Sequence, residues 1–289
     1  MARLGFLGTG LMGAPMVRRL EDGGARLVIW NRDARKAAAL RSPHVSIADT
    51  PQDVGAACDI AALCLTDAAA VETVLFGPNG VVAAGRSVLI VDFTSMAPAQ
   101  AAAIGNRLAA HGCRYIDAPV SGGVAGAEAG TLVVMCGGEP ADVEAAGPIF
   151  DAVAARVTHL GPVGAGQVAK LMNQHIVASS VLAMAEAFAF GRRAGIDVAR
   201  VPEALAGGFA DSRAFQLWGT RMAMGAWQPN VGALDTMLKD VRNAVSSMTD
   251  LGLASPLGHA VREIYEALSA SGKGADDLGS ISTYFEELR

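Results

Sequence analysis

Charged and aromatic side chains are both scarce in this chain. Asp, Glu, Lys and Arg make up 18% of it and Phe, Trp and Tyr 5%, against 52% hydrophobic residues. That balance excludes a disordered chain, which would have too little apolar surface to bury. Basic excess is lacking too, since the net charge is −5, and this argues against nucleic acid as a partner. There are four cysteines, Cys58, Cys64, Cys113 and Cys136, and none has Cys-x-x-Cys spacing. They read as free, buried thiols in a reducing, cytoplasmic compartment, and no metal site is expected. No leader peptide is expected either, because the N-terminus runs straight into an apolar strand. Repeats and low-complexity segments are missing. The long apolar stretch Gly166–Arg193 contains Lys170, His175 and Glu186, which argues against a membrane span.

What is present begins at once. The apolar run Leu4-Gly5-Phe6-Leu7 leads into Gly8-Thr9-Gly10-Leu11-Met12-Gly13, then a helix-like stretch Ala14–Asp22, then a second apolar run Arg26–Trp30. This is strand, Gly-x-Gly-x-x-Gly, helix, strand. Gly8 suits the tight turn, Gly10 a close approach to a pyrophosphate, and Gly13 close packing of helix on strand. Leu11 and Met12 complete the loop, whose backbone N–H groups and helix dipole favour phosphate. The order of elements around the glycines raises this well above a chance match. The chain is expected to bind a dinucleotide.

The end of the second strand, Trp30-Asn31-Arg32-Asp33, bears on which one. An NAD site usually has an acid there for the ribose hydroxyls. Here Asn31 is uncharged, and Arg32 can pair with a 2′-phosphate through two parallel hydrogen bonds. This favours NADP and leaves NAD possible, since Asp33 stands close enough in sequence to reach a ribose.

Strand and helix signals alternate through the first half. Ile60–Leu65, Ser87–Val91, Arg114–Asp117, Thr131–Cys136 and Arg156–His159 are strand candidates, and Ala97–His111 is helical. The alternation implies an α/β fold with a mostly parallel, doubly wound sheet of Rossmann type. It stops near Leu160. Gly166–Arg193 then predicts one unbroken helix of roughly 40 Å at ~1.5 Å per residue. Arg192 and Arg193 suit its negative end and Gly195 its C-cap. Ile176, Val177, Val181, Leu182, Met184, Phe188 and Phe190 make it apolar nearly all round, so burial on several sides is expected. The expected organisation is a dinucleotide-binding domain over residues 1–163, an interdomain helix over 164–194, and an all-helical substrate and oligomerisation domain over 195–289. Phe209, Phe215 and Trp218 read as core of that last domain. A homodimer or homotetramer is expected.

Two further segments carry chemistry. Asp117-Ala118-Pro119-Val120-Ser121-Gly122-Gly123 follows a strand, where ligands of open α/β sheets bind. Its consecutive N–H groups and the Ser121 hydroxyl suit a carboxylate; on this segment alone a plain turn is the simpler reading. Gly164-Ala165-Gly166 opens the long helix, and Lys170 and Asn173 share one of its faces. A lysine in the first turns of a buried helix opposes the dipole and is costly to bury. Burial also lowers a lysine pKa towards the range where it exchanges protons near neutrality.

The glycine loop, the segment Asp117–Gly123, the block from Gly164 through Lys170 to Asn173, and Lys239-Asp240 together resemble the four signatures of the β-hydroxyacid dehydrogenase family. That family includes 3-hydroxyisobutyrate dehydrogenase and tartronate semialdehyde reductase. The motifs stand in family order across nearly the whole chain. The resemblance implies Lys170 as the catalytic residue and Asn173 as a residue that orients substrate. It implies Ser121, Gly122 and Gly123 as the holders of a small-molecule carboxylate. Lys239, Leu65, Thr66 and Ser95 are implied at the cofactor. The family usually shows Ser-Thr where this chain has Thr94-Ser95; both orders keep a hydroxyl. The implied reaction is hydride transfer between NADP(H) and a small 3-hydroxy acid or semialdehyde acid. An imine reductase-like enzyme is an alternative that Lys170 counts against, since those relatives usually lack it. An inactive dinucleotide-binding interaction module is another, and no signature residue is missing. The chain is too short after Lys170 for the long helical half of the phosphogluconate dehydrogenases.

Overall fold

The Gly8-to-Gly13 loop sets the geometry of the first two elements. In the computed structural model, which describes residues 3–287, β1 (Leu4–Leu7) ends at Gly8, whose φ of 98° is open to glycine alone at no cost. Helix α1 (Gly13–Asp22) then starts so close that a Cβ on Gly13 would lie 1.9 Å from the Gly8 carbonyl oxygen.

From this start the chain builds a parallel sheet. Strands β2 (Leu27–Trp30), β3 (Val45–Ile47), β4 (Ile60–Leu63), β5 (Leu89–Asp92) and β6 (Arg114–Asp117) join β1 in the order β3-β2-β1-β4-β5-β6. Every neighbouring pair is parallel. Strand order reverses between β1 and β4, which opens a crevice at their carboxyl ends. Helices α2 (Ala34–Ala38), α3 (Pro51–Ala57), α4 (Ala68–Phe76) and α5 (Pro98–Ala110) complete the crossovers. Consecutive strand residues face opposite sides. Phe6, Ile29 and Val91 pack with Met16 and Leu20 of α1 in one core, whereas Leu7, Leu63 and Ile90 pack with Val54, Val71 and Ile104 in another.

Beyond β6 the sequence reading needs correction. The candidates Thr131–Cys136 and Arg156–His159 are both strands, but they do not extend the parallel sheet. They form a separate three-stranded sheet in which β7 (Val120–Ser121) runs antiparallel to β8 (Leu132–Cys136), and β9 (Ala154–His159) runs parallel to β8. Between these strands lie α6 (Gly123–Ala129), α7 (Pro140–Ala145) and α8 (Gly147–Val153). Strand signals are local, whereas sheet membership is decided by pairing partners far along the chain. The two-residue β7 and the three-residue β3 are too short to leave an apolar pattern.

Helix α9 spans Ala165–Arg193. It ends at Gly195, with φ of 77°, where Gly195 N–H bonds the Arg192 carbonyl and Ile196 N–H the Gly191 carbonyl. This is the glycine C-cap that satisfies the last carbonyls. The chain divides into two compact units, one up to Lys170 and one from Leu171 on. In the second, α10 (Val201–Leu205), α11 (Thr220–Met224), α12 (Leu234–Asp250), α13 (Pro256–Leu268) and α14 (Ser282–Glu287) follow α9. Ala178, Val181, Leu182, Ala185 and Phe188 of α9 are buried with Leu238, Val241 and Tyr265. Their spacing makes one helical stripe. Ile176 and Phe190 lie off it and are 62% and 75% exposed, so α9 is not buried all round within its unit. Phe215 is core, but Phe209 is fully exposed, carried outward by the Gly207-Gly208 turn.

The Gly13–Gly8 approach gives a direct test. Gly13→Ala forces a methyl group into a backbone carbonyl, and overpacking of this kind costs about 1–3 kcal/mol. At roughly 2–4 °C per kcal/mol, thermal unfolding of the ligand-free variant should come about 2–12 °C earlier by circular dichroism. An unchanged Tm would show that the Gly8 carbonyl yields freely.

Candidate active site

The glycine loop has the features a pyrophosphate needs. A Cβ built on Gly10 meets no atom within 4 Å, so the backbone there borders open space. No side chain caps α1 and no acid lies in its first turn; the Ala14 N–H bonds the Gly10 carbonyl at 3.0 Å, and the positive dipole end meets no acidic side chain of its own helix. Leu11 is exposed and Met12 half-buried. At the end of β2, Asn31 takes an internal role. Its Oδ1 accepts the Thr9 N–H at 2.9 Å, and its Nδ2 donates to the Asp33 carbonyl at 3.0 Å. Asp33 is also committed. Its carboxylate caps α2 by accepting the Arg35 N–H at 3.1 Å and pairs with the Arg35 guanidinium at 3.0 Å. That side-chain bond to Arg35 holds the Asp33 carboxyl below the usual carboxylate range. Arg32 stands exposed between them.

The exits of β4 and β5 are tied together. The Leu65 N–H donates to Thr94 Oγ1 at 3.1 Å, and the Thr94 N–H donates to Asp92 Oδ1 at 2.9 Å. Asp92 is fully buried and also accepts the Tyr115 hydroxyl at 2.9 Å. Burial pushes its carboxyl up to about 6, against the pull of the bonds from Thr94 and Tyr115. Thr66 is exposed and donates to Asp67 Oδ2 at 3.0 Å; Ser95 is half-buried.

After β6, the chain turns through Gly122 and Gly123, with φ of 130° and 63°. Ser121 is half-buried at the end of β7, while Gly122 and Gly123 are exposed. The Lys170 ammonium donates to the Val120 carbonyl at 2.9 Å, which brings it to the residue preceding Ser121. The first turn of α9 is fastened by two groups without a role in the sequence reading, Asp117 and Gln167. The Asp117 carboxylate accepts the N–H groups of Gly164 and Gln167. Burial pushes it up to about 7 against those bonds. Their signal in the sequence was position alone, inside the two motifs already singled out.

In the second unit, Asn173 Nδ2 donates to Gln174 Oε1 at 2.9 Å, and Gln174 Nε2 donates to Asp240 Oδ2 at 2.7 Å. Lys239 pairs with Asp240 at 3.3 Å. The Lys239-Asp240 signature thus joins the Asn173 segment of α9 through one carboxylate. Among the described residues, no cluster of His, Cys, Asp and Glu is suited to a metal ion, and no helix is long and apolar enough to cross a membrane.

Residues 3–161 match the family described as the NAD binding domain of 6-phosphogluconate dehydrogenase. Residues 164–284 match the family described as NAD-binding of NADP-dependent 3-hydroxyisobutyrate dehydrogenase. The chain is 36% identical over 271 residues to a 2-hydroxy-3-oxopropionate reductase of Escherichia coli (strain K12), covering 93% of this chain and 92% of that one. It is 30% identical to a 2-(hydroxymethyl)glutarate dehydrogenase of Eubacterium barkeri, over 99% of this chain and 95% of the other. Among solved structures, a Mycobacterium tuberculosis 3-hydroxyisobutyrate dehydrogenase with L-serine superposes with a TM-score of 0.89 at 27% identity, over 98% of this chain and 99% of that one. An Aspergillus terreus reductive aminase with NADPH shares the fold at a TM-score of 0.60 and 23% identity. Glycine loop, strand order, lysine-bearing helix and full-length likeness agree, and the chain belongs to the β-hydroxyacid dehydrogenase family of NAD(P)-dependent oxidoreductases.

Proposed function

We propose that this protein moves hydride between NADP(H) and a small semialdehyde acid or the matching 3-hydroxy acid, with Lys170 as general acid and base. The observation that carries the reading is the Lys170 ammonium, held 2.9 Å from the Val120 carbonyl and so beside Ser121. Bound nicotinamide supplies the hydride that the protein has no group of its own to carry. In reduction, protonated Lys170 neutralises the charge growing on the substrate's carbonyl oxygen and gives it a proton. In oxidation, neutral Lys170 takes the hydroxyl proton. Ser121 and the backbone of Gly122 and Gly123 hold the substrate carboxylate, and Asn173 orients the substrate. Gly8, Gly10, Leu11, Met12 and Gly13 receive the pyrophosphate, with Leu65, Thr66, Ser95 and Lys239 along the rest of the cofactor. The likeness to the 2-hydroxy-3-oxopropionate reductase makes a three-carbon hydroxy-oxo acid the first substrate to test.

In this reading residues 1–163 bind the dinucleotide, 164–194 form the connecting helix, and 195–289 serve substrate binding and assembly. Met172, Ile176 and Phe190 are exposed apolar side chains on α9. They support a homodimer or homotetramer. A cytoplasmic site of action follows from the cysteine pattern. Light scattering at micromolar concentration should give a dimer or tetramer mass; a stable monomer contradicts it.

Cofactor choice is tested at Arg32. With the Asn31 amide and the Asp33 carboxylate engaged inside the loop, the 2′-phosphate falls to the exposed arginine. Wild-type enzyme should prefer NADPH, and Arg32→Ala should weaken NADPH far more than NADH. Equal losses for both cofactors, or a wild-type preference for NADH, would refute this.

Lys170→Met keeps the stem and removes the proton donor. Against a panel of three- and four-carbon semialdehydes, glyoxylate and the matching hydroxy acids, turnover on the best substrate should fall by roughly 10²–10⁴-fold, the usual worth of a positioned acid or base. Cofactor affinity should persist. Near wild-type turnover would assign the proton transfer elsewhere, and a wild type that binds NADPH yet reduces nothing in the panel would favour the non-catalytic module.

A further inference from the structure

The Asp117 carboxylate lies wholly inside the first unit, at the end of β6. Each oxygen receives one backbone N–H from the opening of α9: Oδ1 from Gly164 at 2.7 Å, Oδ2 from Gln167 at 2.8 Å. These belong to the donors that a helix leaves over at its start. A negative group there also suits the dipole. The Gln167 side chain, equally buried, makes a second tie. Its Oε1 accepts the Met96 N–H at 3.0 Å, and its Nε2 donates to the Thr94 carbonyl at 2.8 Å. The exit of β5, the end of β6 and the first turn of α9 are thereby fixed to one another.

The fit leaves no slack. A Cβ on Gly137 would stand 2.6 Å from Asp117 Oδ1, and one on Gly166 would stand 2.9 Å from Oδ2. Lys170 follows Gln167 by less than one helical turn, so the same tie sets where its stem begins. Its acceptor, the Val120 carbonyl, comes three residues after Asp117. Both the helix that carries the ammonium and the carbonyl that receives it are thus referenced to Asp117. Asp92 lies close enough to push this carboxyl up further, and Asp117 in turn raises the Tyr115 hydroxyl and the Cys136 thiol, beyond what burial does to each. No step of the proposed chemistry uses it, yet it is kept buried at a desolvation cost.

We propose that Asp117, assisted by Gln167, is the positioning residue that sets the first turn of α9 and through it the Lys170 ammonium. This rests on the reading of Lys170 as general acid and base. Misplacing a reacting group by about 1 Å can cost on the order of 10²-fold in rate. Asp117→Asn keeps the shape but turns an NH₂ group towards one of the two N–H donors. Its kcat on the best substrate should fall by about 10–100-fold. The Kd for the dinucleotide, from fluorescence titration, should stay near the wild-type value.

A double-mutant cycle separates positioning from general loosening. In a Lys170→Met background, Asp117→Asn should cost almost nothing further, because the group it aims is gone. If Asp117→Asn fails to fold, Gln167→Met removes the second tie and should show the same pattern. A folded variant with wild-type kcat, or an equal fractional loss with and without Lys170, overturns the positioning role. Near wild-type turnover in Lys170→Met overturns the reading of Lys170 and this inference with it. A large loss in Lys170→Met beside none in Asp117→Asn overturns the inference alone.

Discussion

The meeting of the Asp117 carboxylate with the N–H groups of Gly164 and Gln167 takes place away from water, and much of the first unit's chemistry hangs from it. Parallel strands end in loops, and loops wander unless something holds them. Here the holding is done by buried polar side chains. Asp92 receives Thr94 and Tyr115, Thr94 receives Leu65, and Gln167 reaches back to Thr94 and Met96. The exits of β4, β5 and β6 therefore share one hydrogen-bonded lattice with the start of α9. Fully satisfied networks of this kind rigidify a core, whereas a half-satisfied one is costly. That asymmetry explains how a chain so poor in charge keeps two acids and a glutamine in contact with its apolar interior.

What was legible in the sequence was whatever local chemistry dictates. Gly8, Gly10 and Gly13 marked a turn that only glycine can make, and the structure shows why at Gly8 and Gly13. The long helix was read as Gly166–Arg193 and runs Ala165–Arg193, because its caps are written in glycine and arginine. Pairing at a distance was not legible. Nothing in Leu132–Cys136 says that its neighbours are Val120–Ser121 and Ala154–His159 rather than β6. Side-chain direction was hidden as well. Asn31 holds Thr9, and Asp33 holds Arg35. Asp117 and Gln167 lay inside recognised motifs, and only the fold showed what they grip.

The region around Lys170 combines two opposed requirements. An ammonium near a helix N-terminus is disfavoured by the dipole, yet a proton donor must stay charged until it acts. The Val120 carbonyl accepts a hydrogen bond from the ammonium and so holds it beside Ser121.

The double engagement of Asn31 has a consequence for how such a protein changes coenzyme over evolutionary time. In many nucleotide folds a single exchange at the end of the second strand trades one ribose contact for another. Here Asn31 uses its oxygen to steady Thr9 and its nitrogen to meet the Asp33 carbonyl. An aspartate at that position would keep the first bond but set a second oxygen against the Asp33 carbonyl, with no donor between them. An exchange at Asn31 alone would therefore disturb the neighbouring turn as well, so that this position is coupled to the whole β2–α2 connection.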